Sequence, residues 1–201
     1  MAEDGPCQIL ESGGTFCVDM QRMFAEDTPW HVDWMSGVLP QVEEVAGRFP
    51  EKTIFTRFIP PVCAEDMSGT WQEYYRKWWM LTRTNMPAEM ADLVHPLASL
   101  VPPARTFDKR SYSPWTEGGL HKSLCEERVG TLVVTSGETE VCVLAAVLGA
   151  IDLGYRVVLL SDAIFSGADE THDAALKLLG DRFSIQLEVS TTERFLSSAG
   201  D

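Results

Sequence analysis

Residues 131–160 restrict the fold more than any other stretch. "TLVVTS" (131–136) and "YRVVLL" (155–160) are short, β-branched and apolar, and a helix-length apolar run, 139–153, lies between them. Gly154 stands where the end of that helix calls for a left-handed residue. Strand, helix and strand in this order make a βαβ crossover, expected to be right-handed, with its two strands parallel.

The same alternation runs through the chain. Six β-rich runs are predicted as strands: 15–19, 52–58, 104–109, 131–136, 155–162 and 184–189. Most are apolar along their whole length, as strands covered on both faces are, and helical stretches (139–153, 169–181 and others earlier) fall between them. The expectation is an α/β fold with three layers, α-β-α, around a six-stranded, mainly parallel sheet. At 201 residues the chain is long enough to form a single domain, 1–201, with a core of ordinary size. Residues 60–104, bounded by prolines, read as an excursion of loop and short helices, the kind of insertion that decides what a site admits. Near the end "STTE" predicts a capping box, with Ser190 and Glu193 opening a terminal helix.

Thirty acidic side chains against sixteen basic ones give a net charge of −14, and no basic stripe interrupts the scattered carboxylates. No nucleic-acid partner is expected. The opening "MAEDGPCQILESGGTF" has neither a basic nor an apolar signal region, and no apolar run reaches the ~18 residues that span a bilayer. A cytoplasmic protein with no membrane partner is expected. Cysteines at 7, 17, 63, 125 and 142, odd in number and irregular in spacing, suit a reducing compartment.

In a parallel α/β sheet the site lies beyond the carboxyl ends of the strands. Asp19 ends the first run, Lys109 the third, and Cys142 follows the fourth in "SGETEVCV". A thiol needs help to act as a nucleophile near neutral pH. Thr139 as an N-cap and the helix amides would favour a thiolate, Lys109 would stabilise it, and Asp19 could take its proton and return it to a leaving amine. Gly137 permits a tight turn that would aim the backbone amides of Glu138 and Cys142 at an oxyanion. The residues alone leave two readings open for Cys142: nucleophile, or small hydrophobe in the core of its helix.

"VDMQRMF", "DKRSYSPW", "SGETEVCVLAAVLGAIDLGYRVVLLSDA" and "DETHDAAL" together resemble the isochorismatase-like cysteine hydrolases, a superfamily that includes nicotinamidases, N-carbamoylsarcosine amidases and biuret hydrolases. The resemblance runs from about residue 15 to 195. It implies the Rossmann-like hydrolase fold of that superfamily, with Asp19, Lys109 and Cys142 as a catalytic triad and a cis peptide between Gly137 and Glu138. It also implies a small amide or ureide substrate and assembly as a homodimer or homotetramer. Nicotinamidases hold a metal through an Asp-x-His after the second strand, whereas "TRFIPP" puts Phe58 and Pro60 there. The four histidines (31, 95, 121, 172) show no ligand spacing, so neither metal nor other cofactor is expected. True isochorismatases, which cleave a vinyl ether, generally lack the cysteine, so Cys142 favours a carbonyl substrate. An ether hydrolase and a non-catalytic binding protein on the same fold are the rival readings.

The run "WQEYYRKWW" places aromatics three and four apart on a helix, suited to packing against the sheet or another subunit, with Trp71 as the candidate pocket wall. Phe24 resembles a family position lining the site, and Trp115 is a further candidate. Arg57 either recognises a substrate carboxylate or neutralises a surface acid. Cys17 reads as core, Cys63 and Cys125 as structural, and His172 as a residue at the start of its helix.

Overall fold

The computed structural model of the chain describes residues 13–198; Cys7 and most of the opening segment lie outside the described residues. Six strands, β1 (Gly13–Val18), β2 (Thr53–Phe58), β3 (Arg105–Lys109), β4 (Thr131–Gly137), β5 (Arg156–Phe165) and β6 (Leu187–Ser190), form one sheet. Their order is β3-β2-β1-β4-β5-β6, and every neighbouring pair is parallel. The longer helices are α1 (Met35–Arg48), α2 (Thr70–Lys77), α3 (Gly119–Glu126), α4 (Leu144–Asp152), α5 (Asp169–Arg182) and α6 (Thr192–Ser198).

The period of two along each strand divides the core into layers. Phe16 and Val18 of β1, Leu132 and Val134 of β4, and Val157 and Leu159 of β5 pack with residues of α3, α4 and α5. The alternate residues Cys17, Val133, Val158 and Leu160 pack on the opposite face with α1 and α6. Both faces of the central strands are therefore buried, which is why β1 and β4 are apolar or small throughout. The edge strand β3 is half exposed until Lys109.

Gly154 has φ +88, and its amide donates to Ile151 O while the Tyr155 amide donates to Ala150 O. This paired bonding at a left-handed glycine is the Schellman ending expected of the helix in the crossover. The start of that helix differs from expectation. Residues Thr139–Val143 form a wider π turn before α4, with the Val141 and Val143 amides both directed at Glu138 O. Thr139 is not the N-cap; its hydroxyl donates to Phe165 O and contacts His172 Nδ1 at 3.0 Å. The capping box at 190–193 is also absent. Ser190 closes β6, Thr191 Oγ1 accepts from the Arg194 amide, and Asp162 Oδ1 takes the Thr192 amide at 2.8 Å.

Between β2 and β3 the chain leaves the sheet, as the sequence suggests, and builds a third apolar cluster around Met23, Phe58, Tyr75, Leu81 and Met86. Among the described residues no helix is long and apolar enough to cross a membrane.

Candidate active site

The strand order changes direction between β1 and β4, because β2 and β3 continue outward from β1 while β5 and β6 continue from β4. The crevice beyond the carboxyl ends of β1 and β4 is the natural ligand position in such a sheet. Asp19 directly follows β1, and Cys142 lies in the π turn after β4. Lys109 ends β3, two strands away from β1, yet its long side chain crosses above β2: its register partner is Phe58, and Nζ stands 5.1 Å over the Phe58 ring.

The three side chains meet. Lys109 Nζ is 2.7 Å from Asp19 Oδ2 and 3.5 Å from Cys142 Sγ, and it also donates to Ser111 O and Tyr112 O. Asp19 and Lys109 are almost completely buried, at 1% and 2% exposure, so an unpaired charge on either would be costly. Asp19 holds φ +55, a region that aspartate tolerates better than most residues, and Thr56 Oγ1 donates to its Oδ1 at 2.7 Å. Oδ2 faces the ammonium without a well-aligned hydrogen bond and keeps a lone pair available.

Electrostatics revise the expectation of a resting thiolate. Burial pushes the Cys142 thiol well above the ordinary thiol range, the Asp19 carboxylate pushes it further, and Lys109 only partly opposes them. Burial pulls Lys109 down, but the Asp19 carboxylate pushes it back up, and the net direction holds it charged. The resting site is therefore an Asp19–Lys109 ion pair beside a neutral thiol.

A cavity of about 240 Å³ opens on Cys142. Gly137, Glu138, Val141, Phe165 and Gly167 form one side, and Phe24, Trp30, Val32, Phe58, Tyr74, Trp78 and Tyr112 the other. The Gly137–Glu138 peptide is cis. Gly137 has to be glycine for space, since a Cβ there would lie 2.5 Å from Phe165 Cζ.

Of the four candidate binding residues, only Phe24 lines this cavity. Trp71 packs behind it, 4.9 Å from the Tyr112 ring and 6.2 Å from Tyr75. Tyr74 and Trp78, on the same helical face as Trp71, reach the cavity in its place, with the Tyr74 ring 5.3 Å from that of Trp71. Trp115 lies in the core, between Phe16 and Tyr155, and donates Nε1–H to Ala146 O. Arg57 points away from Cys142, as the strand period requires when its neighbour Phe58 points toward it; it binds Asp108 with two hydrogen bonds, at 2.7 and 2.9 Å. Of the two readings of Arg57, neutralising a surface acid is the one that fits.

Sequence reasoning missed Trp30, Tyr112 and Phe165 as walls, and Thr56 as the brace of Asp19. It also missed Gln21, which spans Phe58 N, Phe58 O and Ala91 O and so ties the loop after β1 to the end of β2 and the excursion. Only Tyr112, three residues beyond Lys109, had a signal in its position. Among the described residues no three histidine, cysteine or acidic side chains are grouped to hold a metal ion, and Phe58 presents a phenyl ring to the cavity.

Comparison with known proteins agrees with this architecture. The chain is 29% identical over 111 residues to an uncharacterized isochorismatase family protein, YwoC, of Bacillus subtilis (strain 168); the match covers 55% of this chain and 57% of that protein. In fold it is similar to a cysteine hydrolase from Pseudomonas syringae pv. phaseolicola 1448A (TM-score 0.79, 23% identity, 99% of this chain and 97% of that one). It is also similar to N-carbamoylsarcosine amidase from Thermoplasma acidophilum (TM-score 0.73, 13% identity, 90% and 97%). The sequence profile of the Isochorismatase domain matches residues 15–193. With nearly the whole described chain inside that match, and the sheet and crevice arranged as above, the protein belongs to the isochorismatase-domain family.

Proposed function

We propose that the protein is a cysteine-dependent hydrolase that cleaves a C–N bond of a small amide or ureido compound through a thioester on Cys142. The observation that carries this reading is the meeting of Asp19, Lys109 and Cys142, within 2.7 and 3.5 Å of the Lys109 ammonium, beside a cavity large enough for a small molecule. A neutral thiol next to a carboxylate with a free lone pair suits a nucleophile that loses its proton only as it attacks.

In the proposed cycle Asp19 takes the thiol proton as Sγ bonds to the substrate carbonyl carbon. The Lys109 ammonium holds the carboxylate in place and stabilises charge on sulfur, while the backbone amides of Glu138 and Cys142 donate to the oxyanion. The C–N bond then breaks, its electron pair leaves on nitrogen, and Asp19 returns the proton to form ammonia or an amine. Water adds to the thioester with Asp19 accepting its proton, and the C–S bond breaks as that proton returns to sulfur, releasing acid and thiol. The proposed cycle uses no metal: Phe58, which lines the cavity, and Pro60 stand where the resemblance to nicotinamidases would put metal ligands.

Ammonia release from a panel of primary amides and ureido compounds tests the reading. Wild type is expected to turn over at least one member, and Cys142→Ala to lose at least about a thousandfold of that rate. Turnover that survives Cys142→Ala would overturn it in favour of ether-type or water-direct hydrolysis, and a fold that binds amides with no turnover would make it a binding protein.

A further inference from the structure

The sequence "GETE" places two carboxylates just after β4, of which Glu138 lines the cavity and Glu140 does not. Glu140 Oε1 accepts from Ser166 and Thr171. The half-buried Glu138 side chain lines the cavity and takes no hydrogen bond or ion pair from any described residue. Its electrostatic neighbours are Glu140 and Asp19, both of its own sign, together with the Tyr112 hydroxyl across the cavity. Burial and those carboxylates push its acidity in the direction that disfavours charge. A carboxylate kept half out of water without a donor is unfavourable for the empty protein, and a ligand that brings the donor removes the penalty.

The rest of the wall supplies no competing cation. Lys109 is engaged with Asp19 and two carbonyls beneath the cavity, and His31 lies beside Asp33 at 3.7 Å. The wall is instead aromatic: Phe24, Trp30, Phe58, Tyr74 and Tyr112, with Trp30 centred 5.9–6.1 Å from Phe24, Phe58 and Tyr74. Aromatic faces with a carboxylate attract cationic nitrogen and repel carboxylates.

We infer that the cavity selects amides carrying a positively charged nitrogen, with Glu138 as counter-ion and the aromatic walls around Trp30 as the cage. The inference deepens the hydrolase reading and rests on it for the amide half of the ligand; the cationic half is recognised whether or not turnover follows.

Two probes of nearly identical shape isolate the charge: (trimethylammonio)acetamide, and 3,3-dimethylbutanamide, in which carbon replaces the ammonium nitrogen. Binding to Cys142→Ala protein is read by calorimetry, so that no chemistry intervenes. The cation is expected to bind at least about tenfold more tightly than its neutral twin, and added Glu138→Gln, which keeps size and backbone amide, to cut that preference by at least about threefold, the remainder belonging to the aromatic walls. Equal affinities, tighter binding of the neutral amide, or no binding of the cation would each overturn the inference; none of these needs Glu138→Gln to fold. Ammonia release by wild type separates the two ideas. Preferential binding of a cation that is never hydrolysed leaves the cationic site and removes its support for the hydrolase, whereas hydrolysis of the neutral amide without cation preference does the reverse.

Discussion

Lys109 reaches across an intervening strand to stand 2.7 Å from Asp19, so the charge pair at the crevice depends on the length of a lysine side chain laid over the Phe58 ring. The pair is formed between the ends of β3 and β1, which are not neighbours in the sheet. Its effect on Cys142 has a sign that can be measured.

Removing the Asp19 charge removes a repulsion that opposes thiolate formation and frees the Lys109 ammonium to pair with sulfur. Asp19→Asn, which keeps shape and tolerates the same positive φ, is expected to alkylate at Cys142 faster than wild type with iodoacetamide at pH 8. The same variant loses hydrolysis by about a hundredfold or more, because the proton acceptor is gone. Lys109→Met should slow alkylation. Peptide mapping of the alkylated protein over time checks both.

Cys17 carries a separate pH signature. It is buried in the sheet with Ser136 Oγ at 3.0 Å, and burial pushes its thiol from about 9 up to about 12. A raised value means that the folded state holds the proton longer than the unfolded state. Stability from this group is full below about pH 9 and is lost as pH rises toward 12, by up to about 4 kcal/mol. Urea unfolding of wild type and Cys17→Ala between pH 8 and 11 should show the steeper decline in wild type.

Gly149 lies in α4, where alanine ordinarily stabilises by about 1 kcal/mol. Here the Trp115 indole rests on the bare Cα, and a Cβ would meet its ring inside van der Waals contact. Gly149→Ala should therefore destabilise by about 1–3 kcal/mol in urea unfolding, with the Trp115 emission altered.

Arg57 pairs with Asp108 at a partly exposed edge, away from the cavity. Arg57→Gln should change stability by no more than about 1 kcal/mol and leave kcat/KM within about twofold.

The α/β architecture was legible because both faces of the central strands are covered, so their apolar runs stand out, and because Gly154 marks the helix end. The meeting of Asp19, Lys109 and Cys142 was legible as three polar residues at strand ends. What was not legible depended on which face a residue takes and on what packs against it. One position separates Arg57 from Phe58, and the strand period sends them to opposite sides; Trp71 and Tyr74 share a helical face with rings 5.3 Å apart, and tertiary packing of Trp71 against Tyr112, which no spacing shows, leaves Tyr74 to meet the cavity. The capping box at 190–193 failed for a tertiary reason: Ser190 is held in β6, so the helix starts later, with Thr191 accepting from the Arg194 amide and Asp162, in the irregular stretch of β5, taking the Thr192 amide. The neutral resting state of Cys142 follows from burial beside Asp19, which no spacing of residues reveals.

Intact-protein mass spectrometry after rapid acid quench of a turned-over amide tests the thioester directly. The account predicts an added mass equal to the acyl group, mapped to Cys142 and absent from Cys142→Ala. Hydrolysis with no acyl mass on the protein at any quench time, or with the adduct on another residue, would contradict it.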